Sequence, residues 1–419
     1  MVALDDVFQD LKSGMALYVQ GIAMTPTPLL EALRDRCRGL SQVELYHMHL
    51  EGPVPHLDPQ VSGSLKDISW FVGKNTREAV NAGRAEHLPL FLSDIPAFIE
   101  QRIQLDYALI HVSPPDRYGF VSLGTSVEAA LSAIKRARTV VALVNPHVPR
   151  TRGAAEIPAS AITLGVWHDA PLHTVEAPAI DAVMSQIAAH VASLIPDKAT
   201  LQLGIGAIPN AVLAALTHHR DLGIHSEMIS DGIQPLIEAG VITGQYKALD
   251  AGLVVATFAL GSARFYEFLD DNPAISLRSV DYTNDTAVIR RQPRMISINS
   301  AIEVDLTGQV AAESVGTRII SGVGGQMDFV RGASLAPEGA SIIALPSRTP
   351  DGRPRIVPTL HPGAAVTTTR NHVQFVVTEY GSVNLHGLSL RERVQALIHL
   401  AHPEDREALA RYARQLWTG

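Results

Sequence analysis

Apolar positions along the chain fall into short runs separated by amphipathic stretches, the alternation expected of an α/β protein. Runs at 107–112, 139–144, 253–258, 295–298, 341–345 and 373–377 are rich in Val, Ile or Leu and have the length of buried strands. From 180 to 194 the period changes. Ile180, Val183, Met184, Ile187, Val191 and Leu194 share one helical face, and Pro196 ends the pattern. Two segments open alike, each a polar turn, an apolar strand, a glycine turn, a proline and a helical run. One starts at Leu11 and passes Gly21 and Pro26; the other starts at Ile195 and passes Gly204 and Pro209. This weak repeat predicts two similarly built domains meeting near 170–185, which we place at 1–178 and 179–419.

Length agrees, since 419 residues exceed one ordinary core. With 46% apolar and 18% charged residues the chain can bury large cores and is far from disordered composition. Net charge is −8 and no block of Lys or Arg stands out, which argues against a nucleic-acid partner. The single cysteine, Cys37, excludes an intrachain disulfide and fits a reducing compartment. It reads as lying at the polar end of a helix, where Arg34, Arg36 and Arg38 would lower a thiol pKa, but no His or Asn constellation accompanies it. The first residues show no signal-peptide pattern, and no apolar run approaches the ~20 residues of a membrane span. A cytoplasmic protein with no membrane partner is expected.

Few residues advertise chemistry. Gly204-Ile205-Gly206-Ala207-Ile208-Pro209 lies between a strand and a helix, where missing side chains admit a ligand to backbone N–H groups and a helix N-terminus. A tight turn explains a lone Gly-x-Gly equally well. The segment is no Walker A loop, and Pro209 occupies the place of the third glycine of a dinucleotide fingerprint. Glu227, 21 residues beyond Gly206, still sits where a ribose-binding acid would, so a Rossmann-type oxidoreductase stays open. Glu227 follows a short apolar step and precedes small polar residues, the profile of a strand end, although a single acid usually caps or faces solvent. Ser321-Gly322-Val323-Gly324-Gly325-Gln326 either curves around a ligand or forms a bulge. Glu379 reads as a solvated acid in a turn. His47-x-His49 and His218-His219 lack a recognisable third ligand, so no metal is expected.

Taken together, the motifs resemble the acetyl-CoA hydrolase/transferase family, in its 4-hydroxybutyrate CoA-transferase-like branch. The first half contributes Phe71-Val72-Gly73-Lys74-Asn75-Thr76-Arg77, Val112-Ser113-Pro114-Pro115-Asp116, Ser122-Leu123-Gly124 and Asn145-Pro146-His147-Val148-Pro149-Arg150-Thr151. In the second half come 204–209, His225-Ser226-Glu227-Met228, the 322–326 loop, Thr378-Glu379-Tyr380-Gly381 and Ala401-His402-Pro403. The resemblance implies two open α/β domains of the CoA-transferase fold with the active site in the cleft between them. It implies that Glu227 is the nucleophile that becomes loaded with CoA, that Gly204, Ile205, Gly206, Ala207 and Ile208 form a CoA-binding, oxyanion-stabilising turn, and that Gly325 and Ile302 are further CoA contacts. It implies a homodimer acting on acyl-CoA and small carboxylic acids, with CoA as substrate and no tightly bound cofactor. The sequence departs from the family at 347–354, where Arg348, Pro350, Arg353 and Pro354 replace a Ser/Thr-rich, Lys-containing turn. The rival activities are acyl-CoA hydrolysis through the same glutamate, hydride transfer, and a CoA-binding scaffold without chemistry.

Overall fold

The computed structural model describes residues 1–204 and 206–415. Two open sheets organise it. In the first, seven parallel strands lie in the spatial order Leu164–Trp167, Thr139–Val144, Leu105–Val112, Ala16–Val19, Val43–His47, Leu65–Ser69 and Glu86–His87. In the second, Gly223–Ile224, Thr200–Leu203, Met295–Ser300, Ala340–Ala344 and Phe375–Thr378 run parallel, and Gly381–Asn384 returns antiparallel at the edge. The two similar openings seen in the sequence supply Ala16–Val19 to one sheet and Thr200–Leu203 to the other.

Both faces of the first sheet are covered, which is why its strands are apolar at consecutive positions. Leu17, Leu109 and Val141 point to one face, where Leu29, Leu30, Leu33 and Cys37 of the helix Thr27–Cys37 meet them. Tyr18, Ala108 and Ala142 point to the other, into a cluster that continues without a break to Leu201, Ile298 and Ile342 of the second sheet. The halves are thus joined by shared core. Polar contacts add to it: Arg77 Nε donates to Ile320 O at 2.8 Å, and Val127 N donates to Thr257 O at 3.0 Å. Among the described residues no helix is long and apolar enough to cross a membrane.

Three sequence expectations need correction. The helix predicted for 180–194 spans Ala182–Ala192; Asp181 caps it by accepting from Met184 N at 2.7 Å, and Ile180 and Val183 are exposed. Burial is confined to the face carrying Ile187 and Val191. Cys37 does end the helix Thr27–Cys37, with Arg34 and Arg36 in its last turn, but its thiol is fully buried, and burial pushes it up to about 11 against the smaller opposite pull of Arg36. The run 253–258 is broken at Thr257 into Val254–Ala256 and Phe258–Ala259, for a reason that lies in the site.

Candidate functional site

The strand Gly223–Ile224 pairs in parallel with Thr200–Leu203, and His225 N continues that ladder to Leu201 O at 3.0 Å. The chain then leaves the sheet. Ser226 N donates to Val255 O at 3.0 Å, and the Glu227 carbonyl accepts from both Thr257 N at 2.9 Å and Phe258 N at 3.1 Å. Two successive N–H groups aimed at one carbonyl require the break at Thr257. The Glu227 backbone is therefore pinned on both sides, at the carboxyl end of a parallel strand, where open α/β sheets place their ligands.

The Glu227 side chain enters a cavity of about 180 Å³. Gly204 and Ser300 line it from the carboxyl ends of two neighbouring strands, Ser321 to Gln326 from the glycine-rich loop, and Phe71 from the first half. Phe71 follows the strand Leu65–Ser69, so the carboxyl ends of both sheets converge on one cleft. On its floor, Gln202 and Asn299 exchange amide hydrogen bonds of 3.2 and 3.0 Å.

Two donors hold the carboxylate. Asn284 Nδ2 donates to Oε2 at 3.2 Å, and the Gly325 N–H donates as well. Gly325 is required by proximity: a Cβ there would fall on Glu227 Oε2 and Asn284 Nδ2. Glu227 keeps an open edge toward the cavity, yet protein crowds its carboxyl group on the remaining sides. Burial pushes it up to about 7; Asn284 and Gly325 oppose the rise, and the nearby carboxylates of Asp328 and Glu128 add to it. Glu128 is itself buried and pushed up to about 7, with Ser126 Oγ and Gly21 N donating to it. An acid half-ionised near neutrality, desolvated and aligned by two donors, is suited to act as a nucleophile.

The remaining predicted residues are distributed unevenly. Gly204 and Gly325 share the cavity with Glu227. Gly206 is exposed with φ of 120°, a conformation open to glycine, and begins the helix Ala207–Ala215 as its N-cap. Ala207 is half-buried, and Ile208 turns its side chain into the core, leaving only backbone for a ligand. Ile205 lies outside the described residues. Ile302 lines a second, larger cavity of about 660 Å³, with Arg353, Arg355, His361 and Pro362 on its walls. The two cavities draw on the same segments, Ser300 with Ile302 and Ser321 with Ile320.

Four other residues behave differently from expectation. Glu379 is not a solvated acid; it accepts from Ser347 N at 2.9 Å and Ser347 Oγ at 2.6 Å and so closes the 347 turn. In the same divergent turn, Arg348 grips Asp405 at 2.8 and 2.7 Å and Glu404 at 2.6 Å, anchoring the C-terminal helix Pro403–Gln415. His47 and His49 do have carboxylate neighbours. His47 Nε2 and His56 Nε2 lie 2.7 and 2.9 Å from Asp67 Oδ2, His47 and Asp67 from adjacent parallel strands and His56 from the turn Pro55–Leu57, and His49 Nε2 lies 2.6 Å from Glu51. These are hydrogen-bond lengths, and His47, His56 and Asp67 supply the third group near a histidine that the sequence did not show. Sequence reasoning missed Asn284, which lies 57 residues from Glu227 with no motif around it.

Comparison with known proteins gives the cleft a context. The acetyl-CoA hydrolase/transferase N-terminal domain matches residues 1–181, and the C-terminal domain of the same family matches residues 261–413. A succinyl-CoA:acetate/propanoyl-CoA:succinate CoA transferase of Fasciola hepatica is 45% identical over 98% of this chain and 86% of its own. A 4-hydroxybutyrate coenzyme A transferase of Clostridium kluyveri is 46% identical over 92% of this chain and 90% of its own. The crystal structure of RipA from Yersinia pestis superimposes with a TM-score of 0.93 at 35% identity, covering 99% of this chain and 97% of that one.

Proposed function

Since the chain belongs to the acetyl-CoA hydrolase/transferase family, we propose that it moves coenzyme A between a short-chain acyl-CoA and a free carboxylic acid, with Glu227 as covalent nucleophile. The observation that carries this reading is the Glu227 carboxylate itself, held by Asn284 and Gly325 at the meeting of both sheets and raised to about 7. The two similar proteins at 45% and 46% identity are named as CoA transferases, which supports the reaction class.

The chemistry balances without any further group. A Glu227 oxygen attacks the thioester carbonyl, the C–S bond breaks, and CoA leaves as a thiolate, giving an acyl-glutamyl anhydride. The thiolate then attacks the glutamyl carbonyl carbon and expels the acyl group as a carboxylate, leaving a glutamyl-CoA thioester. An incoming carboxylate runs both steps in reverse. Each tetrahedral oxyanion needs donors already in place. The backbone N–H of Gly325, which already faces the Glu227 carboxyl, is the one at hand, worth ~3 kcal/mol in comparable sites. Attack of water on the glutamyl-CoA thioester, releasing CoA and restoring Glu227, would make the enzyme a hydrolase; as a transferase, its thioester consumption is expected to depend on an added carboxylic acid.

Ionisation of Glu227 sets the pH dependence. Protonation removes the attacking lone pair, so adduct formation is expected to fall tenfold per unit on the acid side of an apparent pKa near 7. Because Asp328 and Glu128 are also raised to about 7, the limb belongs to the three carboxyls jointly. Stopped assays between pH 5 and 9 measure it; a limb near 4.5 would contradict the buried state of Glu227.

The larger cavity is suited to the nucleotide end of CoA. Arg355 is half-buried there, donates to Ala301 O at 3.2 Å, and keeps a buried Nε with no partner. Arg355→Ala is expected to raise KM for acyl-CoA by ~10-fold, the worth of one charge-assisted contact. Acyl-pantetheine, which lacks the phosphates, is expected to be turned over alike by both proteins. Equal losses on the two substrates would remove the arginine from nucleotide binding.

A further inference from the structure

We propose that Asp328 is a positioning residue for Glu227, acting through Asn284, and that its contact with Ser93 makes alignment of the nucleophile depend on docking of the first half. This inference rests on the covalent role of Glu227. Both N–H donors of the Asn284 amide are used, and its oxygen accepts one bond. Its oxygen accepts from Thr283 Oγ1 at 2.8 Å, while Nδ2 donates to Glu227 Oε2 at 3.2 Å and to Asp328 Oδ2 at 3.3 Å. An amide facing one carboxylate alone is free to rotate; an acceptor on the far side of the same NH2 group fixes which end faces the nucleophile. Asp328 does not line the Glu227 cavity, so it does not meet the reacting atoms.

Asp328 lies in the first turn of the helix Gln326–Leu335 and is buried. Its Oδ1 accepts from Ser93 Oγ at 2.9 Å, and its Oδ2 from Ser93 N at 3.3 Å. Ser93 belongs to the one-turn helix Leu92–Asp94 of the first half, where Leu92 N also donates to Gly324 O at 3.2 Å. One short turn thus grips the loop that carries Gly325 and the acid that orients Asn284. The charged groups facing the pair are Glu128 on Glu227 and Asp94 on Asp328.

The test compares glutamyl-CoA formation, followed by quenched intact-protein mass, in the wild type, Asp328→Ala, Asn284→Ala and the double variant. At pH 8.5, above the acid limb, Asp328→Ala is expected to slow the adduct by ~10–50-fold with KM for acyl-CoA within ~2-fold, since the loss is of alignment rather than substrate binding. The double variant is expected to be no slower than Asn284→Ala, the mark of one pathway. Asp328→Asn, which keeps the shape and guards against misfolding, is expected to move the acid limb to lower pH by removing a negative charge that faces Glu227. A purely structural Asp328 would lower Tm and leave that limb in place. Wild-type rate and limb in both Asp328 variants, or losses that multiply in the double variant, would overturn the proposal alone. No adduct in the wild type would overturn the Glu227 reading and this proposal with it.

Discussion

Replacing Glu227 by Gln is expected to abolish CoA transfer, lowering kcat by ~10⁴-fold or more, as loss of a covalent nucleophile does elsewhere. The substitution keeps size and can keep the Asn284 contact, since a Gln oxygen accepts from Nδ2 at the same position. Folding is therefore expected to survive. It is expected to improve above pH 7, because the wild type must hold an ionised carboxylate in a site that disfavours it. The sign follows from the raised pKa: the folded state binds the extra proton between about 4.5 and about 7, so wild-type stability falls as pH rises through that window. Gln has no such dependence. Thermal melts at pH 5 and 8 check this, and a variant less stable than the wild type at pH 8 would contradict the desolvated state of the carboxylate.

The second large effect is expected at Gly325. Any side chain there collides with both the nucleophile and its amide partner, and the neighbouring N–H is a donor to the carboxylate. Gly325→Ala is expected to lower kcat by ~10²–10³-fold, the cost of misplacing one donor and the attacking oxygen together. Its effect on stability is expected to stay within the ~1–3 kcal/mol typical of overpacking. Gly63→Ala, where an added Cβ meets nothing and the residue is exposed, serves as the control and is expected to match the wild type. A fully active Gly325→Ala would show that Glu227 does not work in the position described.

How much of this was legible in the chain depends on what each residue is bound to. The strands Leu105–Val112 and Thr139–Val144 announce themselves because burial on both faces demands uninterrupted apolar residues. Val43–His47 and Leu65–Ser69 are central in the same sheet but stayed hidden, since Glu44, Lys66, Asp67 and His47 interrupt the apolar run. Asp67 and His47 are buried there only because they bond each other. The segment 253–258 misled for the opposite reason. Its composition is that of one strand, and the turn of two N–H groups toward the Glu227 carbonyl breaks it. Here the site overrides propensity.

The site shows the same division. Glu227 taken alone is one of 42 acidic residues, and only the ordered set of motifs around it singles it out. Asn284, Asp328 and Ser93 form a chain of contacts spanning 57, 44 and 235 residues of sequence separation, which no local spacing rule reaches. The departure from the family at 347–354 names arginines without saying what they bind, and Arg355 lies just beyond it. The fold assigns Arg348 to the C-terminal helix and leaves Arg353 and Arg355 on the cavity wall.

The central claim is tested most directly by the intact mass of the protein after incubation with butyryl-CoA, with and without borohydride. A CoA-sized adduct is expected on the wild type and none on Glu227→Gln, with borohydride converting Glu227 to the alcohol and acetate discharging the adduct as acetyl-CoA. A folded wild type that binds CoA yet never gains that mass would contradict covalent transfer through Glu227.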